Sequence, residues 1–152
     1  MQAGVIVDYL GLSQKSIEIT KELNKIDKLS DYWDVVVFFR SFGRIMKPPK
    51  FALLPEEELW GFNAPVISTD LKTTDSLLKC FSPTKKFFYL FDLEWISNRY
   101  SIDYLSSIYL NEELELIARS KNHARIIESC WKKPIAIIEN FNYEQITELL
   151  NR

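Results

Sequence analysis

The chain reads as one α/β domain, a three-layer sandwich built on a mainly parallel six-stranded sheet. Six short apolar runs alternate with amphipathic or polar segments at a spacing of roughly 20–30 residues, which is the rhythm of βαβ units. Several runs are continuously apolar rather than alternating, as suits strands covered by helices on both faces. No internal repeat, low-complexity tract or linker divides residues 1–152.

Val5-Ile-Val-Asp-Tyr-Leu10 is the first buried strand, followed by a turn at Gly11, Leu12 and Ser13. Ser13 is a helix N-cap, because its hydroxyl can accept from free N–H groups of the first turn. Ile17, Ile19, Leu23 and Ile26 then mark one face of a helix that runs to near Lys28. Residues 34–39, β-branched and aromatic, are the second strand. Gly43, Pro48, Pro49 and Pro55 make residues 40–55 a long loop, since adjacent prolines suit neither a helix interior nor a central strand. Residues 65–69 are a short third strand. Thr69 or Asp70 caps a helix over 73–81, with Leu77 and Leu78 toward the core, and Pro83 breaks the chain before the fourth strand at 87–91. A short helix over 102–110, a fifth strand at 114–118 and a helix capped by Ser120 and running through Trp131 follow. A sixth strand at 134–138 and a last helix over 143–150 complete the order.

Composition narrows the function classes. A single domain of 152 residues buries roughly two thirds of its unfolded surface. Ten Phe, seven Tyr and four Trp against four Gly imply a bulky, well-filled core. The net charge of −2 gives no electrostatic case for nucleic-acid binding, and Arg119, Lys121, Arg125, Lys132 and Lys133 read as a solvated face. Cys80 and Cys130 lack metal-ligand spacing and read as small buried hydrophobes. A lone histidine, His123, excludes paired-histidine metal motifs, and no motif calls for a cofactor. With no basic-then-apolar leader and no run near the length of a membrane span, the expectation is a cytoplasmic protein without membrane attachment.

The most informative run is Phe87 to Phe91, five apolar residues that end in Asp92 and Glu94. Ligands of open parallel sheets bind outside the carboxyl ends of the strands, so an acid emerging there is well placed for chemistry. Two positions apart on a continuing strand, Asp92 and Glu94 would face one side. Their proximity could raise one pKa and make a general acid or base; alternatively either pairs with Arg99 or caps the next turn. The first loop carries only Gly11, with neither G-x-G-x-x-G nor a Walker lysine. It reads as a turn capped by Ser13, at a helix start that could receive an anion or sugar hydroxyl. The hydroxyl-rich turn with Asp70, Thr73 and Thr74 either caps its helix or lines the same cleft. Ser120 and Asn122 stand between capping and ligand contact in the same way.

In order and local pattern these pieces resemble the N-terminal, acceptor-side Rossmann-like half of GT-B glycosyltransferases. Val66-Ile-Ser-Thr-Asp-Leu-Lys-Thr-Thr74 looks like the strand and Thr-rich turn before the fourth strand of those enzymes. Phe88-Tyr-Leu-Phe-Asp-Leu-Glu94 is similar to the F-Y-x-x-Q-D-x-E strand end of rhamnosyltransferase-like members. It also resembles the Y-Y-L-F-T-D of phage DNA β-glucosyltransferases, whose aspartate is the catalytic base. Leu116-Ile-Ala-Arg-Ser-Lys-Asn-His123 and Pro134-Ile-Ala-Ile-Ile-Glu-Asn140 look like the later strand–helix–strand unit. The resemblance implies Asp92 as the base that deprotonates an acceptor hydroxyl, and Glu94 stays a catalytic candidate as the second member of the carboxylate pair. Gly11, Ser13, Asp70, Thr73, Thr74, Ser120 and Asn122, in the turns at the same sheet edge, are the candidate substrate contacts. The C-terminal donor-binding half of such enzymes has no counterpart here, so a nucleotide-sugar would come through a partner domain and the domain alone would not transfer sugar. The alternative is a non-enzymatic module that binds glycan or self-associates as a homo-oligomer through Trp60, Phe62, Trp95, Tyr100 and Tyr104. A receiver or flavodoxin-like reading fits the alternation but lacks the acidic pair, late lysine or Ser/Thr-rich phosphate loop those proteins need.

Overall fold

The computed structural model describes residues 1–26 and 34–152. Seven parallel strands form one sheet in the order β3-β2-β1-β4-β5-β6-β7, the doubly wound, Rossmann-like order with one strand added. The strands are β1 (Gln2–Leu10), β2 (Asp34–Phe42), β3 (Ala52–Pro55), β4 (Val66–Ser68), β5 (Lys86–Leu90), β6 (Leu114–Ala118) and β7 (Ala136–Ile137). The helices are α1 (Gln14–Leu23), α2 (Leu71–Lys79), α3 (Glu94–Ser97), α4 (Ile102–Tyr109), α5 (Lys121–Cys130) and α6 (Tyr143–Leu150). The expected end of the first helix near Lys28 lies outside the described residues.

Strand alternation divides the core between the two faces of the sheet. Val5 and Val7 of β1, Val37 of β2 and Tyr89 of β5 point to one face, where they pack with Ile19 of α1 and Ile146 of α6. Phe88 and Leu90 point the other way, against Leu105 and Tyr109 of α4 and Ile127 of α5. On that same second face Ile6 and Phe38 meet Leu77 of α2 and Leu59. Every residue of β5 is buried, which explains the apolar run from Phe87 to Leu90, while the buried Lys86 at its start pairs with Glu113 at 2.9 Å. A fully buried Phe or Leu contributes about 1.5–3 kcal/mol relative to exposure, so this central strand is a main anchor of both layers.

The structure corrects the strand count from six to seven. Residues 40–55 are not only loop, because β3 pairs with β2 from Val36 opposite Ala52 to Phe39 opposite Pro55. Pro55 is tolerated because β3 is an edge strand and the proline is its last residue. The β7 ladder is shorter than the expected 134–138, with only Ile117 opposite Ala136 and Ala118 opposite Ile137. The reading of the cysteines is corrected in part: Cys80 is buried, whereas Cys130 is exposed at the end of α5. Trp95, Tyr100 and Tyr104 are packed against the second core face, while Trp60 is exposed. Among the described residues, no helix is long and apolar enough to cross a membrane.

Candidate functional site

The chain leaves β1 toward β2 and leaves β4 toward β5, so the switch point of the sheet lies over the carboxyl ends of β1 and β4. Two turns border it, one leading into α1 and one into α2.

The first turn is closed on itself. Ser13 Oγ accepts from the Ser16 N–H at 3.2 Å, and Ser16 Oγ accepts from the Gly11 N–H at 3.2 Å while donating to Tyr9 O. These N–H groups are the ones a phosphate-cradling loop would offer, and here serine oxygens occupy them. Gly11 has a steric purpose. A Cβ on it would stand 2.3 Å from the Tyr9 hydroxyl, and a Cβ on Gly43 would stand 2.1 Å from the same atom. The two glycines thus make room for the Tyr9 ring between the ends of β1 and β2. Gly11 and Ser13, expected as substrate contacts, are engaged in the turn's own packing and hydrogen bonding.

The second turn is also held from within. Asp70 caps α2 by accepting from the Thr73 N–H at 2.9 Å, and Thr73 Oγ1 accepts from the Thr69 and Asp70 N–H groups at 3.2 Å each. Thr74 Oγ1 donates to Asp70 O at 2.6 Å and lies 2.7 Å from Ser68 Oγ. Thr69 Oγ1 donates to Ile6 O at 3.0 Å, which ties the turn to β1. Thr73 and Thr74 are fully buried, so their hydroxyls shape the turn, and what faces the crevice from it is Asp70.

Glu94 joins this turn from the other side. Its Oε2 accepts from the Leu71 N–H at 2.8 Å, so the N-terminus of α2 is held by two carboxylates, Asp70 and Glu94. Lys15 reaches over from α1. Its Nζ donates to Thr69 O at 3.1 Å, lies 3.7 Å from Asp70 Oδ2 and sits 5.6 Å from the Phe91 ring centroid. Burial pushes the Glu94 carboxyl up to about 7, and the negative charges of Asp70 and Asp92 add to that. The Leu71 N–H and Lys15 pull the other way.

Toward β2 the crevice continues as a charged network. Arg40 donates through Nε and Nη2 to both oxygens of Glu56, at 2.6 and 2.9 Å, a bidentate fork. Its Nη2 also reaches Ser76 Oγ at 2.7 Å and its Nη1 stands 3.5 Å from Asp8 Oδ1. Lys72 Nζ lies 3.8 Å from Asp8 Oδ2. The Arg40 fork holds the Glu56 carboxyl below the usual carboxylate range. Lys15, Arg40 and Lys72 face Asp8, Glu56, Asp70 and Glu94, an interleaved set in which every cation meets an acid, rather than an anion trap.

The remaining expected residues lie over the neighbouring ends of β5 and β6. β5 stops at Leu90 and the chain turns at once, the Phe91 N–H bonding Tyr89 O. Asp92 and Glu94 are therefore not alternate residues of one strand, and the argument that placed them on one side is corrected. Asp92 is exposed, whereas Glu94 is half-buried against α2. Arg119 donates to Phe91 O at 2.9 Å, and Ser120 Oγ caps α5 by accepting from the His123 N–H at 3.2 Å. Asn122 is exposed on the first turn of α5. Burial, with the charge of Arg119, holds the His123 imidazole below its ordinary range, against the pull of Asp92.

The sequence reading missed Lys15, Arg40 and Lys72. Arg40 carried the signal that singled out Asp92, a charged side chain at the carboxyl end of a buried apolar run. Among the described residues, no three His, Cys, Asp or Glu side chains gather closely enough to hold a metal ion. No family model, curated protein or solved structure matches the chain.

Proposed function

We infer that the domain binds a hydroxyl-bearing acceptor, a sugar in chemical class, over the β1–β4 crevice, in the manner of the acceptor half of a GT-B glycosyltransferase. The observation that carries this reading is Glu94, a half-buried carboxyl at the switch point with its pKa raised to about 7. A base poised near neutrality is efficient at taking a proton from a hydroxyl. The motif resemblance favours Asp92 as base; the burial of Glu94 and its place beside Asp70 and Lys15 favour Glu94, with Asp92 at the rim. In the reaction the acceptor oxygen attacks the anomeric carbon, its proton passes to Glu94, and the donor's glycosidic bond breaks with its electron pair leaving on the phosphate oxygen. The donor would be supplied by a partner domain.

Interleaved charge of both signs supports a polyhydroxylated ligand over a phosphate one, because neighbouring carboxylates and cations can accept from and donate to adjacent hydroxyls. The test follows the backbone amides of Leu71 and Lys15 by NMR while acceptor sugars are added. Saturable shifts at both, weakened in Glu94→Gln, are expected. Shifts confined to the Asp92, Ser120 and Asn122 cluster would place the ligand elsewhere and reject Glu94 as the base.

A further inference from the structure

A groove of about 250 Å³ runs between the 3-10 turn Glu56–Gly61 and α2, and Glu56, Glu57, Trp60, Ser76 and Lys79 are among its lining residues. Trp60 is 56% exposed, an uncommon placement for the largest apolar side chain. Its backbone is nevertheless fixed. Ser82 Oγ donates to Trp60 O, the preceding Leu59 is fully buried in the core, and the Phe62 N–H closes onto Leu59 O at 3.1 Å. An exposed indole on a held backbone is a stacking platform with little ordering cost on binding.

The wall beside it is polar and prearranged. The Arg40 fork fixes the Glu56 carboxylate. Ser76 Oγ accepts from Arg40 at 2.7 Å and its own hydrogen bond to the Glu56 carboxyl helps to fix that group. Lys79 adds a cation, paired with Asp75 at 2.7 Å. A flat apolar face beside carboxylates and a hydroxyl matches the two sides of a pyranose ring, one face of C–H groups and an edge of O–H groups. Glu56, Glu57 and Glu58 in succession repel anionic ligands.

We propose that this groove is a binding site for a neutral pyranose unit, stacked on Trp60 with its hydroxyls donating to Glu56 and Glu57. The groove shares the Glu56 and Ser76 wall with the network at the margin of the β1–β4 crevice but does not depend on the chemistry inferred there. The test follows the Trp60 indole N–H resonance, identified by its loss in Trp60→Phe. The methyl glycosides of glucose, galactose, mannose and N-acetylglucosamine, and methyl glucuronide, are each added to about 20 mM. At least one neutral glycoside should move the resonance saturably; read at the backbone amides of Ser76 and Lys79, Trp60→Ala should weaken binding about tenfold or more and Glu57→Gln a few fold. Both substitutions lie on the surface and should leave the unfolding transition in place. Absence of saturable movement with every neutral glycoside overturns the site, as does affinity unchanged in Trp60→Ala. Preference for the glucuronide overturns the assignment to neutral sugars.

Discussion

Glu94→Gln should flatten the pH dependence of stability across neutrality. The Glu94 carboxyl is raised from 4.5 to about 7, first by burial and then by Asp70 and Asp92. Between those values the folded chain holds a proton that the unfolded chain has released, so the unfolding free energy falls as pH rises. The contribution is whole below the unfolded value of 4.5 and is lost as pH climbs through about 7. A shift of this size corresponds to about 3.4 kcal/mol at ~1.36 kcal/mol per unit. The carboxyl keeps part of its hydration, and screening reduces the figure to about 1–2 kcal/mol. Glutamine retains an oxygen for the Leu71 N–H and cannot ionise, so the variant keeps the cap and loses the titration. Urea unfolding at a series of pH values reads the difference directly. Between about pH 5 and pH 8 the wild type should lose about 1–2 kcal/mol more than Glu94→Gln. Parallel profiles would refute the reasoning, and so would an NMR titration of the Glu94 carboxyl carbon with its midpoint in the ordinary carboxylate range.

Further outcomes test the scaffold. Tyr89 donates to Ile138 O at 2.6 Å and accepts from the Phe141 N–H at 3.0 Å, so Tyr89→Phe strands two buried backbone groups and should cost about 2–3 kcal/mol in chemical denaturation. Tyr109→Phe is the contrasting case. The Tyr109 hydroxyl is buried with no hydrogen-bond partner among the described residues, so its removal should be neutral or stabilising by up to about 1 kcal/mol, read from the thermal midpoint. Asp70→Ala removes the cap of α2 and the partner of Lys15, and should destabilise by about 1–2 kcal/mol; hydrogen exchange should speed up first at the Thr73 amide.

What was legible in the sequence was what local chemistry decides. Residues 114–118 and 143–150 match β6 and α6, because an apolar run and an apolar helical stripe are each self-contained signals. The capping roles of Ser13, Asp70 and Ser120 were readable for the same reason. β3 was hidden behind prolines, since a four-residue edge strand has too little pattern to outweigh them. The site was only half visible. Asp8 and Arg40 lie 32 positions apart, and nothing local says that their strands are neighbours. The same holds for Lys15 and Asp70, which meet only because β1 and β4 are adjacent. The strand alternation that points to Glu94 ends before reaching it; its distinguishing burial comes from the start of α3 meeting the N-terminus of α2.

The two margins of the sheet bear on how the molecule behaves at high concentration. An open strand edge is a template on which another chain can add, and a long one invites aggregation. Here one margin is the four-residue β3, closed by Pro55 and followed by Glu56, Glu57 and Glu58, and the other is the two-residue β7. Proline withholds a donor, the acids repel an incoming copy, and a two-residue ladder offers too few hydrogen bonds to seed a longer one. Growth of the sheet from molecule to molecule is therefore discouraged at both ends, and any association between copies has to use helical faces rather than strand addition.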